Sequence, residues 1–289
     1  MYAITGITGN VGGAAARALL KAGKKVRGIV RDKSKATAWA AQGVELFTAD
    51  VQDAAAMEKA FRGTEGVFIM VPPNFAPAVN YPETRAIVSM LRQALTAARP
   101  EKVAFLSSVG AQHDHGLGLI TQSHILEEEM CSLPVASAFI RAAWFLENYQ
   151  WDVEPARTQG AINVFLNPVD RAFPMVATED IGQLAATVLQ QSWQGNRRLE
   201  LEGPQRYSPL DAAKTFARLL DRPVQTKLIP RAEWNDLFEQ QGVPQGRTAP
   251  RIEMVDGFNS GWIDFERTGT ESFKGKQTIE DVFTKLIRK

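Results

Sequence analysis

The fold class that the sequence predicts is α/β, with a doubly wound parallel sheet and a small C-terminal α/β lobe. Three observations predict it. Short apolar runs alternate with helical patterns over the first half of the chain, a glycine-rich turn follows the first run, and Gly and Pro become more frequent after about Trp151. Repeated strand–helix–strand units imply right-handed crossovers and therefore parallel strands.

Six apolar runs are predicted as strands covered on both faces, because they are rich in Val, Ile and Phe and mostly lack polar alternation. In chain order they are Tyr2 to Thr5, Lys25 to Val30, Val44 to Thr48, Gly66 to Val71, Lys102 to Ser107 and Val135 to Arg141. Apolar residues at helical spacing predict the helices between them. These are Ala14 to Ala22, Ser34 to Gln42, Ala54 to Phe61, Pro82 to Ala98 and Gln122 to Ser132.

The length of 289 residues suits one large α/β domain with a smaller lobe attached. We expect the larger domain over residues 1–151 and the smaller lobe over 152–289, with 178–202 returning to the larger domain. A Ser or Thr followed three residues later by an acid is typical of a capped helix start. Such starts are predicted at Ser208 and Thr278, and another helix start at Thr178, where acidic residues follow.

The charge balance argues against two classes of partner. With 33 basic and 32 acidic residues, the net charge of +1 gives no broad field to attract nucleic acid or an anionic membrane. The single cysteine, Cys131, excludes an intramolecular disulfide, and no apolar run is long enough to cross a bilayer. We therefore expect a cytoplasmic protein with a small-molecule substrate, and a homodimer stays open. No metal is expected, since the segment His113 to His115 is interpreted as a solvated loop.

A glycine-rich turn near the N-terminus predicts a phosphate-binding site. Gly6, Gly9 and Gly12 follow the first apolar strand at a spacing of three and open an Ala-rich helix. Gly6 permits a tight turn, Gly9 removes a side chain that would block a pyrophosphate, and Gly12 lets the helix pack closely on the sheet. Exposed N–H groups and the helix dipole would then meet the negative charge. The alternative is an ordinary strand-to-helix turn.

The end of the second strand predicts NADP(H) over NAD(H). An acid there would bind the ribose 2′-hydroxyl of NAD, whereas a basic residue accommodates the 2′-phosphate of NADP. The chain has Arg31 at this point and Lys35 four residues later. The alternative is a solvated basic loop in which Asp32 neutralises Arg31. Asp50, after the third strand, lies where adenine contacts are usual, although a solvated loop aspartate is also consistent with its position.

Four segments together resemble the NmrA-like, atypical short-chain dehydrogenase/reductase family. They are TGITGNVGG, VRGIVRDKSKA, GVELFTADVQD and FIRAAWFLENY. Within the family the chain is most similar to the NADPH-dependent quinone reductase and triphenylmethane reductase type. The resemblance implies a Rossmann-type domain, NADP(H) across the strand ends, and a substrate in the cleft between the lobes.

Carried over by position, the resemblance implies a set of cofactor-binding residues. They are Gly6, Ile7, Thr8, Gly9, Asn10, Val11 and Gly12 for the pyrophosphate, Arg31 and Lys35 for the 2′-phosphate, Asp50 beside adenine, Val71, Pro72 and Pro73 beside the ribose, and Ala142, Ala143 and Trp144 near the nicotinamide.

The chain departs from ordinary short-chain dehydrogenases because no tyrosine is followed by a lysine four residues later. That pair exchanges a proton with a carbonyl or an alcohol. Ile120 stands at the tyrosine position and His124 at the lysine position. His124 is a candidate proton donor, since imidazoles titrate near neutral pH. The alternative is a helix histidine satisfied by polar neighbours.

An aromatic cluster with one amide is predicted to form the substrate side of the cleft, because planar substrates favour apolar pockets with few polar groups. The candidate substrate residues are Phe75, Trp144, Phe145 and Asn148, of which Asn148 is also a catalytic candidate. Most of this cluster is also interpretable as core between the lobes, and that interpretation is favoured for Phe145 and Trp151. Glu127, Glu128 and Glu129 are expected to form a solvated helix face.

Without the tyrosine, direct hydride transfer to a conjugated acceptor is the chemistry that the sequence favours, since it requires orientation more than acid–base catalysis. The predicted function is an NADPH-dependent oxidoreductase that acts on quinone-like or other conjugated small molecules. The alternative is a non-catalytic NADP-binding redox-sensing regulator of the NmrA type. An isomerase or epimerase is disfavoured by the missing pair.

Overall fold

The computed structural model describes residues 1–288, and its centre is an eight-stranded sheet in which all strands are parallel. The strands of the chain are β1 (Tyr2–Thr5), β2 (Val26–Val30), β3 (Glu45–Thr48), β4 (Gly66–Ile69), β5 (Lys102–Ser108), β6 (Ala136–Ala142), β7 (Trp144–Phe145), β8 (Ala161–Val164), β9 (Met175–Val176), β10 (Asn196–Glu202), β11 (Gln225–Leu228) and β12 (Glu271–Lys274). The order in the large sheet is β12-β10-β6-β5-β4-β1-β2-β3.

Helices cover both faces of this sheet, and others pack outside it. They are α1 (Asn10–Lys21), α2 (Thr37–Ala40), α3 (Ala54–Phe61), α4 (Pro82–Ala98), α5 (Thr121–Met130), α6 (Val153–Gln159), α7 (Thr178–Leu189), α8 (Pro209–Leu220), α9 (Trp234–Gln240), α10 (Ala249–Ser260) and α11 (Ile279–Ile287). Within residues 1–288, none combines the length and the apolar character needed to span a bilayer.

The two faces of the sheet bury two separate apolar cores, because successive side chains of a strand point in opposite directions. Ile4 and Phe68 belong to the core beneath α1 and α7. Ala3 and Val67 belong to the core beneath α3, α4 and α5. Every residue of β1 and β4 is buried. The prediction of a doubly wound α/β sheet is therefore confirmed. The expected coverage of both faces holds for β1 and β4 but is wrong for β3, which lies at the edge of the sheet and has no buried residue.

The strand order reverses between β1 and β4, which places a crevice at their carboxyl ends. Strands β2 and β3 continue on one side of β1, whereas β4, β5 and β6 continue on the other. In open α/β sheets, ligands bind outside the carboxyl ends of the strands at such a switch point. The glycine-rich turn that follows β1 lies at this point.

Part of the second half of the chain joins the large sheet. Helix α7 packs against α1, and a Cβ on Gly182 would lie 2.4 Å from the Cβ of Ala14, so the glycine permits the close approach. Strand β10 pairs with β6, and β12 pairs with β10. Strand β12 falls in the range expected for the smaller lobe. The division into residues 1–151 and 152–289 stays a prediction.

A second group of elements is formed by the two-stranded parallel sheet of β8 and β11, with α6, α8 and α11. Its core centres on Tyr149, Phe216 and Phe283, with Phe216 stacked on Phe283 at a centroid distance of 4.2 Å. Capping boxes begin α8 at Ser208 and α11 at Thr278, as predicted.

Some element bounds differ from the prediction. The helix after the glycine turn begins at Asn10, four residues before the predicted start. The predicted helix from Ser34 to Gln42 is a short 3-10 turn, Lys33–Ala36, followed by the single turn α2. At Thr178, the carboxylate of Glu147 caps α7 by accepting bonds from the Thr178 amide and hydroxyl.

Candidate functional site

The turn between β1 and α1 leaves the first amides of the helix open to a ligand. Gly6 adopts φ +63°, and the Gly9 amide donates to the Gly6 carbonyl over 2.9 Å. Gly9 is the N-cap of α1, and no side chain within residues 1–288 caps it. Unpaired N–H groups at a helix start attract anions.

Close main-chain packing explains why this turn requires glycine. A Cβ on Gly12 would lie 2.3 Å from the Gly6 carbonyl oxygen, and a Cβ on Gly6 would lie 2.6 Å from the Met70 side chain. The hydroxyl of Thr5 accepts from the Met70 amide over 2.8 Å, which ties the end of β1 to the segment after β4. Thr5 was not among the predicted site residues.

The residues within the turn divide by burial. The side chains of Ile7 and Val11 are buried in the core, so only their backbones are available to a ligand. Thr8, Gly9 and Asn10 are exposed. A pyrophosphate at this turn would therefore contact main-chain groups and the short polar side chains of Thr8 and Asn10.

Two basic side chains lie exposed after β2. Within the described chain, neither Arg31 nor Lys35 forms an ion pair. Asp32 accepts from the Ser34 amide over 2.9 Å and from its hydroxyl over 2.7 Å. These bonds lower the pKa of Asp32 and turn its carboxylate toward Ser34. Neutralisation of Arg31 by Asp32, the alternative that the sequence left open, is therefore not the arrangement in the structure.

The ends of β3 and β4 contribute the next predicted contacts. Asp50 is exposed, and its Oδ1 accepts from the Gln52 amide over 2.9 Å. Val71 is half-buried, whereas Pro72 and Pro73 are exposed. Phe75 follows on the same loop with 63% of its surface accessible. This loop is joined to α5 because Gln122 Nε2 donates to the Asn74 carbonyl.

His124 lies on α5, half-buried, with its Nδ1 3.0 Å from the carbonyl oxygen of Ala111. A carbonyl can only accept, so Nδ1 carries a proton in this arrangement. No partner is found for Nε2 among residues 1–288, and this nitrogen is the one left for a ligand. Ile120, one turn earlier, is buried.

The segment after β6 is the last predicted nicotinamide contact. Ala142 and Ala143 are buried, and the amide of Ala143 donates to the Leu201 carbonyl over 2.9 Å. Trp144 is half-buried and packs its ring edge-on against Phe258 at 5.1 Å. Strands β5 and β6 run side by side up to this segment, with Ser108 opposite Ala142.

A family comparison identifies the chain. The sequence model of the NmrA-like family matches residues 2–261. The chain belongs to the NmrA-like family. Quinone oxidoreductase 2 of Escherichia coli K12 is 25% identical over 251 residues, which cover 85% of this chain and 84% of the relative. The (4-alkanoyl-5-oxo-2,5-dihydrofuran-3-yl)methyl phosphate reductase of Streptomyces griseus is 25% identical over 250 residues, covering 86% and 80%.

Solved structures share the fold of this NmrA-like chain. The Escherichia coli NADPH-dependent quinone oxidoreductase complexed with NADPH superposes with a TM-score of 0.81 at 22% identity over 99% of both chains. The Citrobacter sp. triphenylmethane reductase complexed with NADP(H) gives a TM-score of 0.80 at 20% identity, over 99% of this chain and 100% of that one.

The aromatic cluster after β6 differs from the prediction at Trp151. Trp151 is 80% exposed and therefore does not belong to the core between the lobes. Tyr149 is buried, 5.2 Å from the ring of Phe283. Phe145 is half-buried against the core of the large sheet, and Asn148 is exposed. Of this NmrA-like segment, Trp144, Phe145 and Asn148 therefore keep surface that a substrate can reach.

The prediction of a solvated face for Glu127 is wrong, whereas Glu128 and Glu129 are exposed. Glu127 is buried and bonded to Arg141 and Ser107. The sequence carried a signal, since Arg141 ends a strand predicted to be covered on both faces. A buried guanidinium requires a partner. Burial lowers the pKa of Arg141, but the bonds and charges of Glu127 and Glu266 outweigh it and leave the pKa raised.

The histidines of the loop before α5 are not simply solvated. His113 is half-buried and stacks on Trp262 at a centroid distance of 3.9 Å, and this burial lowers the pKa of His113. His115 is exposed and pairs with Asp114 over 2.5 Å. Within residues 1–288, no group of three or more His, Cys, Asp or Glu side chains is arranged to hold a metal ion.

Proposed function

We propose that this chain is an NADPH-dependent oxidoreductase that transfers a hydride to quinone-like or other conjugated small molecules. The uncapped start of α1 at the switch point of the sheet carries the proposal, because it offers backbone donors where a dinucleotide pyrophosphate binds. The names of the relatives support the reaction, since they are a quinone oxidoreductase and a furanone phosphate reductase of similar length.

The residues present fit NADP(H). A Cβ on Gly12 would meet main-chain oxygens, so glycine at this position permits a close main-chain turn of the kind that a pyrophosphate requires. Arg31 and Lys35 are exposed cations without ion-pair partners in the described chain, and they would hold the 2′-phosphate. The planar guanidinium of Arg31 suits a phosphate through two parallel bonds.

His124 is the proposed proton donor of the reaction. Bound NADPH supplies the hydride, and a proton must also reach the reduced acceptor. The Nδ1 of His124 is held by Ala111, so Nε2 can donate a proton only from the protonated ring. The anion of a reduced conjugated acceptor is delocalised, so a weak donor or water suffices. This explains how reduction proceeds without a tyrosine and lysine pair.

Aromatic surface around the cleft is proposed to select planar substrates. Phe75 on the loop after β4 and Trp144 after β6 are candidate stacking surfaces, because both rings retain accessible area. Asn148 is exposed and would supply a polar contact to the acceptor. A small molecule is the proposed partner, and a cytoplasmic location and a homodimer stay predictions from the sequence.

Turnover of NADPH with a panel of quinones tests the proposal. Purified protein is mixed with NADPH and each acceptor, and the absorbance of the reduced cofactor is followed. We expect oxidation that depends on both enzyme and acceptor, and faster with NADPH than with NADH. Tight NADPH binding without turnover of any acceptor would contradict the enzyme and favour the redox-sensing regulator.

A further inference from the structure

We infer that Glu127 and Arg141 form a buried clamp that positions His124 for proton donation. The inference rests on the proposed function for the role of His124, but the geometry of the clamp stands independently of it. Glu127 is 4% exposed and Arg141 is 2% exposed, and together with Ser107 they connect α5 to the carboxyl ends of β5 and β6.

The clamp uses both oxygens of Glu127. Its Oε1 accepts from the Ser107 hydroxyl over 2.5 Å and from Arg141 Nε over 3.0 Å. Its Oε2 accepts from Arg141 Nη2 over 2.7 Å. The remaining arm of the guanidinium, Nη1, donates to Glu266 over 2.7 Å. A fork bound on two sides fixes the plane of Arg141, which a single ion pair would not do.

The strands place the clamp next to the proposed chemistry. Ser107 and Arg141 are register partners on β5 and β6, so their side chains leave the same face of the sheet side by side. The next pair along these strands is Ser108 and Ala142, and Ala142 begins the proposed nicotinamide contact. The clamp therefore lies one residue before that segment.

Helix α5 connects the clamp to His124, because Glu127 and His124 both belong to it. Glu127 lies three residues after His124, which makes the two side chains neighbours on one face of α5. The ring of His124 is held a second time by the Ala111 carbonyl, in the loop that follows β5. Both attachments therefore join α5 to the end of β5. They fix the position and rotation of α5 relative to the sheet, and with them the position of Nε2, which must meet a substrate.

Stability alone does not account for such a pair. A buried ion pair is often no more stabilising than well-packed apolar residues of similar size, whereas removal of one partner is strongly destabilising. An apolar pair would cover the same surface without fixing a direction. An apolar replacement would therefore lose the directional hydrogen bonds of Glu127 while keeping the buried surface.

A double substitution separates position from stability. In the variant E127M/R141M, two unbranched apolar chains replace the pair, and no buried charge of the pair is left alone. We expect NADPH affinity within about twofold of wild type, but kcat lower by about threefold to tenfold, no more than the loss expected when His124 itself is removed. The control R197M/E271M removes a fork between β10 and β12, and its kcat should be unchanged.

The tautomer of His124 gives a readout that is independent of activity. In wild type, the ¹⁵N spectrum of the neutral imidazole should show one Nδ1–H form, assigned by its loss in H124A. We expect E127M/R141M to show a mixture of tautomers. Should the double variant not fold, E127Q retains the shape of the side chain, and it should shift the same signals and lower kcat to a smaller extent.

Wild-type kcat and a single Nδ1–H tautomer in a well-folded E127M/R141M protein would overturn the clamp. If wild type itself turns over no acceptor, the proposed function fails, but the tautomer comparison still decides whether Glu127 and Arg141 orient the ring.

Discussion

The turn from Gly6 to Gly12, called here the mouth of α1, offers main-chain amides to the proposed ligand. The segment from Trp144 to Asp152 after β6, called the wall, offers side chains. The mouth is built by Gly6, Gly9 and Gly12, which remove side chains so that amides are reachable. The wall depends on distant packing, such as Trp144 against Phe258 on α10. The difference teaches that substitutions at the mouth should change cofactor affinity, and those on the catalytic side should change turnover.

Gly12→Ala should weaken NADPH binding more than Arg31→Ala or His124→Ala. The new Cβ would lie 2.3 Å from a main-chain oxygen, which cannot move aside by a side-chain rotation. We expect the Kd of NADPH to rise by about 100-fold, in line with the cost of overpacking. Gly13→Ala is the matched control, since its Cβ would lie 3.1 Å from the Ile7 carbonyl. Calorimetry and melting curves measure affinity and folding separately, and equal losses in the two variants would break the comparison.

Arg31→Ala should weaken NADPH binding by about 30-fold and leave NADH binding nearly unchanged. The lost bond is made to the charged 2′-phosphate, which NADPH carries and NADH lacks. Lys33→Ala, on an exposed neighbour, is the control and should bind both cofactors as wild type does. Binding titrations with both cofactors measure the ratio. A parallel loss for NADPH and NADH would remove Arg31 from the 2′-phosphate site.

His124→Ala sharpens the comparison from the catalytic side. We expect kcat to fall by about tenfold with little change in the Kd of NADPH, less than usual for a general acid because water can protonate a delocalised anion. His115→Ala, on the exposed loop before α5, should turn over normally. Steady-state rates with one quinone measure both variants, and an unchanged rate in His124→Ala would make this histidine a structural residue.

Asp152→Asn tests the environment of a buried acid in the wall through the pH dependence of the protein's stability. Burial raises the pKa of Asp152 to about 7, partly opposed by the bond from the Asn163 amide. Because this folded pKa lies above the unfolded value of about 4, the stabilising contribution of the neutral acid is full below pH 4 and is lost as the pH rises through 7. Asparagine keeps the acceptor and cannot ionise.

We therefore expect Asp152→Asn to be more stable than wild type by about 1 kcal/mol at pH 8, and equal to it at pH 4, since partial access to water reduces the full linkage effect. Urea unfolding at the two pH values measures the difference. A constant difference between the two proteins at both values would show that Asp152 does not titrate in this range.

The sequence predicted the sheet and the turn because both depend on local patterns. The runs from Tyr2 to Thr5 and from Ala54 to Phe61 coincide with β1 and α3, since apolar period and flanking residues determine them. Strand β12 was not predicted. Its residues, Glu271 to Lys274, alternate poorly and gain their place only by pairing with β10 at the edge of the sheet.

The side-chain environment of the wall was harder to predict, because it depends on contacts between distant residues. Periodicity could not tell that Tyr149 turns into the core while Trp151, two residues later, stays in water. Nor could it tell that Glu127 faces inward while Glu128 and Glu129 face solvent, since the deciding partner, Arg141, lies on another strand. A charge within a predicted buried strand is the one local sign of such a partner.

Isothermal titration of the folded protein with NADPH and NADP⁺ tests most directly whether the open amides of α1 bind a diphosphate. The account predicts saturable binding of both, abolished or greatly weakened in Gly12→Ala while Gly13→Ala still binds. Absence of heat with either cofactor, in a protein that melts cooperatively, would contradict it.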